Sequence, residues 1–210
     1  MYSIMNKRQK SLEVLRLPVG QMAANCYIVF DSESGQAIII DPGDDGQHIM
    51  GTIVKHAVTP TSIVATHGHF DHIMAACELQ ISYNLPFLIH KKDEFLVKRM
   101  RETAEHFLGI KIVDPAPIIS GGLSEGQALA VGSHKLFIID TPGHTPGSVS
   151  FYSRDGRFVI VGDVLFEGGG VGRTDQSYAN PKELRGSLQK ILKLPPGTTI
   201  YSGHGQESTL

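Results

Sequence analysis

The stretch Thr66-His67-Gly68-His69-Phe70-Asp71-His72 is the most informative part of this 210-residue chain. It places three histidines and one aspartate, whose side chains all bind metal ions in proteins, within six residues. The stretch follows an apolar segment, residues 62–65, that is typical of a buried strand, and it precedes a helical pattern that begins at Ile73. Sites are commonly built on loops that a rigid scaffold holds, so the stretch predicts a metal site at the end of a strand.

Two interpretations of this stretch differ in where its side chains point. If the segment stays extended, His67, His69 and Asp71 project in one direction, and His72 begins the turn into the helix and can face a second ion. Alternatively, Asp71 caps the helix among surface histidines. Three further candidate ligands at the ends of other predicted strands favour the metal site over the helix cap.

These three candidates are His144, Asp163 and His204. His144 lies in the proline-containing loop 141–147, Asp163 ends an apolar strand, and His204 lies between two glycines after the last strand. The carboxylate of Asp163 would be costly to bury without a cation beside it. Five histidines and two aspartates supply only nitrogen and oxygen ligands, which suit zinc, iron or manganese, and seven ligands are enough for two ions.

The hydrophobic pattern outside these loops predicts strands, then helices, then strands, then a helix. The predicted strands are 13–17, 25–30, 37–40, 62–65, 86–90, 129–131, 135–140, 148–153, 157–162 and 199–202, and the predicted helices are 47–57, 73–83, 91–108 and 181–194. Prolines and a glycine pair in residues 110–126 predict a surface connector there. Because each half contains strands and helices, the order predicts two sheets packed face to face with helices outside.

Composition limits the class of protein. Hydrophobic residues make up 41% of the chain and the formal net charge is −2, which excludes disorder and gives no basic excess for nucleic acid or a membrane surface. The sequence has neither an apolar run long enough to span a membrane nor the apolar core of a signal peptide, so we expect a cytoplasmic protein. The length predicts a single domain, residues 1–210, with a flexible leader over residues 1–11. Cys26 and Cys77 are predicted to be core residues rather than a disulfide framework.

Taken together, five motifs resemble those of the metallo-β-lactamase superfamily and, within it, the glyoxalase II (hydroxyacylglutathione hydrolase) group. They are Asp41-Pro-Gly43, the 66–72 stretch, the 141–147 loop, Gly162-Asp-Val-Leu-Phe166 with Gly172-Arg-Thr-Asp175, and Gly203-His-Gly205. The resemblance implies an α/β fold, an αββα sandwich of two mixed sheets with helices on the outer faces. Glyoxalase II enzymes carry a further C-terminal helical domain with glutathione contacts, and this sequence ends at Leu210, so we expect a single-domain relative.

The resemblance also implies the ligand set. It assigns one divalent ion to His67, His69, His144 and Asp163, and a second to Asp71, His72, Asp163 and His204, with Asp163 bridging. Zinc is the first expectation for both ions, with iron or manganese as alternatives. Asp41 is implied to hydrogen-bond the histidine loop, although an aspartate before a proline also forms turns without any further role.

The implied reaction is hydrolysis of a small-molecule thioester such as S-D-lactoylglutathione by a hydroxide that bridges the two ions. Asp71 is the candidate catalytic residue, because it can orient that hydroxide as well as bind metal. Arg173 is a candidate contact for a substrate carboxylate, or else a surface ion-pair partner of Asp175. Tyr178 is a weaker candidate for substrate contact.

Other activities of the same superfamily are the alternatives. A persulfide dioxygenase would hold a single iron on residues matching His67, His144 and Asp163, but the dioxygenases end their last motif with Ala-His-Asp, whereas this chain has Gly203-His-Gly205. A metallo-hydrolase of another ester or a lactone would use the same metals. The best-known zinc β-lactamases have cysteine at the position of Asp163, so aspartate there argues against a β-lactamase.

Overall fold

The computed structural model describes residues 11–210, whose strands form two six-stranded mixed sheets. The first sheet keeps the order of the sequence: β1 (Leu12–Val19), β2 (Ala24–Asp31), β3 (Gln36–Ile40), β4 (Thr59–Val64), β5 (Phe87–His90) and β6 (Ile119–Leu123). The strands from β1 to β3 pair antiparallel, and those from β3 to β6 pair parallel.

The second sheet is built from the later strands in the spatial order β12-β11-β10-β9-β8-β7. They are β7 (Ala128–Val131), β8 (His134–Asp140), β9 (Val149–Ser153), β10 (Phe158–Gly162), β11 (Thr199–Ser202) and β12 (Ser208–Thr209). β10 and β11 pair parallel, and the other neighbours pair antiparallel. The helices are α1 (Gly46–His56), α2 (Phe70–Ile73), α3 (Ala76–Tyr83), α4 (Glu94–Lys98), α5 (Met100–Leu108) and α6 (Pro181–Ile191), with 3₁₀ turns at Lys91–Asp93 and Glu167–Gly169.

Alternating side chains along the buried strands create the layers. Along β2, Tyr27 and Val29 pack into the core between the two sheets, whereas Cys26 and Ile28 pack on the opposite face with α1 to α5. On the outer face of the second sheet, apolar residues of α6 cover β10 and β11. The predicted αββα sandwich is therefore confirmed. Cys26 and Cys77 are both buried and unpaired, as predicted.

Several predicted elements differ from the structure. The predicted connector 110–126 contains β6, which pairs parallel with β5. The sequence did not indicate β6, because this strand contains Gly121 and Gly122 and glycine is a poor strand former. The short strand β12 was not predicted. The proposed leader, residues 1–11, lies outside the described residues except for Ser11.

The single helix predicted over residues 91–108 is also wrong. The structure has a 3₁₀ turn, then α4, then α5, with a break at Arg99, whose φ and ψ are −97° and 5°. α4 and α5 both bury apolar residues on the first sheet. The spacing of these apolar residues is therefore the same as in one continuous amphipathic helix, and it does not reveal the break. A further correction is that the 66–72 stretch does not stay extended, because α2 begins at Phe70 and includes Asp71 and His72.

Strand direction brings the five sequence motifs to one edge of the sandwich. β3 and β4 are parallel, so Asp41 and the 66–72 stretch follow strand ends at the same edge of the first sheet. In the second sheet, β8, β10 and β11 also end at one edge, which carries the loops of His144, Asp163 and His204. A hydrogen bond from the Val149 amide to the Thr66 carbonyl, 2.8 Å long, joins the two edges. Within residues 11–210, no helix has the length and apolarity needed to cross a membrane.

Candidate metal centre

Three histidine side chains converge to form a first cluster. The Nε2 atoms of His67 and His144 lie 3.1 and 3.0 Å from Nδ1 of His69. His67 and His144 are buried, and His69 is partly exposed to a cavity. These three nitrogens are close enough together to bind one metal ion.

A second cluster consists of Asp71, His72 and His204. Oδ2 of Asp71 lies 3.4 Å from Nε2 of His204 and 3.8 Å from Nε2 of His72. α2 begins at Phe70, so Asp71 and His72 lie in its first turn, and the His72 ring is 4.2 Å from the ring of His67 in the first cluster.

The carboxylate of Asp163 faces both clusters. Its Oδ2 lies 3.5 Å from Nε2 of His144 and 3.8 Å from Nε2 of His204, and its Oδ1 lies 3.6 Å from Nε2 of His72. The structure thus brings together all seven residues that the sequence predicted as ligands. Asp163 is the residue that connects the two groups.

Asp41 accepts hydrogen bonds that hold two of these imidazoles from outside the clusters, His72 directly and His67 through Thr66. Its Oδ2 accepts hydrogen bonds from the Thr66 hydroxyl, at 2.6 Å, and from Nδ1 of His72, at 3.1 Å. Since the Thr66 proton points to Asp41, the Thr66 oxygen accepts a hydrogen bond from Nδ1 of His67, at 3.0 Å. Asp41 therefore makes the contacts with the histidine loop that the resemblance implies, and it leaves Nε2 of both histidines facing the clusters.

The other two imidazoles of the first cluster are also fixed on their outer side. Nδ1 of His144 donates to the carbonyl of Arg173, at 2.8 Å. Nε2 of His69 lies 2.8 Å from the hydroxyl of Tyr178, so a hydrogen bond fixes the ring with its Nδ1 toward the cluster. Tyr178 thus contacts a candidate ligand, a role that the sequence did not indicate.

The donor set fits divalent cations. Nε2 of His67 and Nε2 of His144 converge on Nδ1 of His69, and the hydrogen bonds of their own Nδ1 atoms leave both Nε2 atoms without a proton, as metal ligands require. Among residues 11–210, Nε2 of His72 and Oδ1 of Asp163 are buried without a hydrogen-bond partner. Buried polar atoms of this kind need an explanation, and bound metal ions supply one.

The electrostatics of the two clusters differ. Burial, followed by the neighbouring His144, lowers the pKa of His69 to about 3, so its ring is neutral at pH 7. Burial also lowers the pKa of His67. Burial alone would lower the pKa of His72 as well, but Asp71, Asp163 and Asp41 outweigh it and raise that pKa to about 10. The second cluster is therefore an anionic pocket that attracts positive charge.

A cavity of about 760 Å³ opens beside both clusters. Near His69 and His144 its wall is polar, with Arg173 and Tyr178. Apolar side chains make up much of the remaining wall, namely Met22, Phe70, Leu96, Phe107, Phe166 and Val171. Arg173 lines this cavity and also pairs with Asp175, its Nε lying 2.7 Å from Oδ1. Both alternatives for Arg173 therefore have structural support.

Sequence comparisons identify relatives over nearly the full chain. The family model described as "Metallo-beta-lactamase superfamily" matches residues 19–204. The "Probable metallo-hydrolase YqgX" of Bacillus subtilis is 39% identical, over 92% of this chain and 90% of that protein. The "Hydroxyacylglutathione hydrolase GloC" of Haemophilus influenzae is 32% identical, over 92% of this chain and 91% of that protein.

Solved structures show the same architecture. The B3 metallo-beta-lactamase BLEG-1 is similar with a TM-score of 0.86 and 31% identity, over 94% of each chain. TTHA1623, solved in a di-iron-bound form, has a TM-score of 0.84 and 35% identity, over 93% of this chain and 94% of that one. ETHE1 from Myxococcus xanthus has a TM-score of 0.74 and 25% identity, over 94% of this chain and 79% of that one. From its motifs, its fold and these relatives, the chain belongs to the metallo-beta-lactamase superfamily.

Proposed function

We propose that this chain is a dinuclear metal-dependent hydrolase that cleaves a small-molecule thioester such as S-D-lactoylglutathione. The observation that carries the proposal is the position of Asp163, whose two carboxylate oxygens face His144 on one side and His72 on the other. One carboxylate between two groups of nitrogen and oxygen donors is the arrangement that two ions acting on one substrate require.

The ligands divide between the two ions according to the clusters. His67, His69, His144 and Asp163 would hold one ion, and Asp71, His72, Asp163 and His204 would hold the other. When bound, two such cations lower the pKa of a water molecule and polarise the carbonyl of the substrate. Zinc suits this set of nitrogen and oxygen donors, and iron or manganese suits it as well.

Asp71 has a second role in this proposal. Burial favours its neutral acid, but His72 and His204 outweigh burial and lower the pKa of Asp71, so it is a carboxylate at pH 7. Because it lines the cavity, it can accept a hydrogen bond from the attacking water and orient it toward the substrate carbonyl. The thiolate that leaves is a weak base and needs little protonation, so the chain needs no strong general acid.

We therefore expect Asp71→Asn to lower kcat by about 10²-fold, the low end of what a positioned acid–base group contributes. The amide keeps one oxygen as a donor to metal, so both ions should remain bound. Metal content and steady-state kinetics, measured on the same preparation, check this prediction. If the variant keeps both ions and near-normal turnover, Asp71 has no orienting role.

The substrate would lie in the cavity beside both clusters. Its cationic and polar wall suits the carboxylate groups of a glutathione conjugate, and its apolar wall suits a small acyl group. The similarity to GloC, which is named as a hydroxyacylglutathione hydrolase, supports this substrate class.

The Arg173→Ala variant tests the carboxylate contact. We expect KM for a glutathione thioester to rise about tenfold with little change in kcat, because the contact binds substrate and transition state alike. Stability should hardly change, since the pair with Asp175 is exposed. The matched control is Arg157→Ala, which removes an exposed arginine that contacts the Pro196 carbonyl instead. An unchanged KM would leave Arg173 as a surface ion-pair residue.

Two other activities of the superfamily have a specific observation in their favour. The structural similarity to BLEG-1 favours β-lactam hydrolysis, and the similarity to ETHE1 keeps the mononuclear-iron persulfide dioxygenase as an alternative. One panel separates them: hydrolysis of glutathione thioesters, hydrolysis of a chromogenic cephalosporin, and oxygen consumption with glutathione persulfide. Thioester hydrolysis faster by at least 10²-fold in kcat/KM supports the proposal. Preference for either other substrate overturns it.

A further inference from the structure

Asp93 is a buried carboxylate that lies outside both metal clusters. It ends the 3₁₀ turn between β5 and α4, and it has no exposed surface. Burial raises the pKa of Asp93, whereas its hydrogen bonds to Thr145, Gly68 and Gly147 act in the opposite direction. A carboxyl group in such a place is costly unless its oxygens are well satisfied, and here both oxygens accept hydrogen bonds.

These hydrogen bonds connect the two loops that carry the first cluster. Oδ2 of Asp93 accepts from the amide of Gly68, at 2.9 Å, and from the hydroxyl of Thr145, at 2.7 Å. Oδ1 accepts from the amide of Gly147, at 2.7 Å. Gly68 lies between His67 and His69, and Thr145 follows His144, so one carboxylate holds all three histidine positions from two different sheets.

Two glycines allow this close approach. A Cβ atom on Gly68 would lie 2.8 Å from Cβ of Leu96 and 3.0 Å from the carbonyl oxygen of Asp93. On Gly147 it would lie 2.6 Å from Oδ1 of Asp93. The glycine inside the histidine stretch and the last glycine of the 141–147 loop therefore leave room for the segment that carries Asp93.

We propose that Asp93 is a positioning residue for the first metal site, because it sets the distance between the His67–His69 loop and His144. The inference rests on the metal binding of the proposed function but is independent of the substrate. An amide cannot replace this carboxylate. In either orientation the NH₂ group of asparagine faces a backbone N–H, that of Gly68 or that of Gly147, so at least one of the three hydrogen bonds is lost.

Asn25 provides a matched control for general effects of changing a buried polar residue. It is as deeply buried as Asp93, and its Nδ2 donates to the carbonyls of Ser202 and Gly205, at 2.9 and 3.0 Å. These carbonyls flank His204, which belongs to the second cluster. Asn25 therefore holds the other half of the centre through a comparable number of hydrogen bonds.

The experiment uses the full chain with His204→Ala, which keeps the three histidines of the first cluster and weakens the second. Its affinity for Zn²⁺ is measured by competition with a chromophoric chelator, without and with Asp93→Asn or Asn25→Ala. We expect Asp93→Asn to weaken zinc binding by at least tenfold, as is typical for residues that orient metal ligands. Asn25→Ala should change it by less than about threefold, because the loop it holds no longer carries a ligand.

The inference would be overturned if both variants lose affinity for zinc by the same factor, or if neither variant loses affinity.

If Asp93→Asn does not fold, Thr145→Val serves instead, because Thr145 is the one side-chain donor to Asp93 within residues 11–210 and valine keeps its shape. Thr145→Val should weaken zinc binding by about threefold, and unchanged binding would overturn the inference. If the unaltered chain binds no zinc, the metal binding of the proposed function fails first. If the unaltered chain binds zinc and Asp93→Asn has no effect on that binding, only the positioning role of Asp93 is rejected.

Discussion

An Asp163→Asn variant is expected to lose at least about 10³-fold in turnover and to bind fewer than two metal ions per chain. The amide has the shape of the carboxylate but lacks its charge, so it cannot serve two cations at once. Stabilisation of charge by metal ions is worth several kcal/mol in the transition state, which corresponds to a loss of this size. Steady-state kinetics and metal analysis of one preparation check both parts.

Asp155→Asn is the matched control for Asp163→Asn. Asp155 is an exposed carboxylate beside His134 in the turn between β9 and β10, at the end of β10 opposite the one that Asp163 follows. The control should keep both ions and full turnover. If Asp163→Asn keeps both ions and works within tenfold of the unaltered chain, Asp163 does not connect the two clusters.

The second large effect is expected at Gly43, which ends the Asp41-Pro-Gly43 turn. A Cβ atom there would overlap the carbonyl oxygen of Asp71, and backbone cannot move away as a flexible side chain can. The amide of Ala75 donates to the carbonyl of Pro42, at 3.0 Å, so this turn and the helices after it are packed together. Gly43→Ala should therefore displace Asp71 and His72 and destabilise the second cluster.

For Gly43→Ala we expect about one bound metal ion per chain and a free energy of unfolding lower by roughly 1–3 kcal/mol, the usual cost of overpacking. Gly51→Ala is the control. Gly51 lies in the middle of α1 with open space where the Cβ would be, so alanine should stabilise the helix by about 0.5–1 kcal/mol. Denaturant unfolding and metal analysis of both variants provide the test. Two bound ions in Gly43→Ala, with unchanged stability, would refute the steric account.

Local sequence signals were sufficient to predict the two-sheet sandwich and to identify the candidate metal ligands. Each ligand loop follows an apolar strand and contains glycine, proline or both, and the parallel pairs β3–β4 and β10–β11 bring such loops to a common edge. The apolar run of residues 26–30 is typical of a buried strand, in agreement with the prediction of Cys26 as a core residue, and every residue of β2 is buried. These features depend on neighbours in the sequence, so the sequence shows them directly.

The features that the sequence did not reveal depend on distant contacts. Tyr178 meets His69 across 109 residues, and Asp93 meets Thr145 across 52. Nothing near Asp93 marks it as different from a surface aspartate. The only available signals were Gly68 and Gly147, since a glycine within a ligand loop can indicate close approach of another backbone or carboxylate.

The number of metal ions that each chain binds is the decisive test of a dinuclear centre. Native mass spectrometry on protein purified without a chelator measures it, and a second measurement follows after zinc, iron or manganese has been offered. We expect two ions per chain, because two donor clusters share Asp163. A single iron, with no second ion taken up after metal is offered, would contradict the dinuclear hydrolase and favour the dioxygenase.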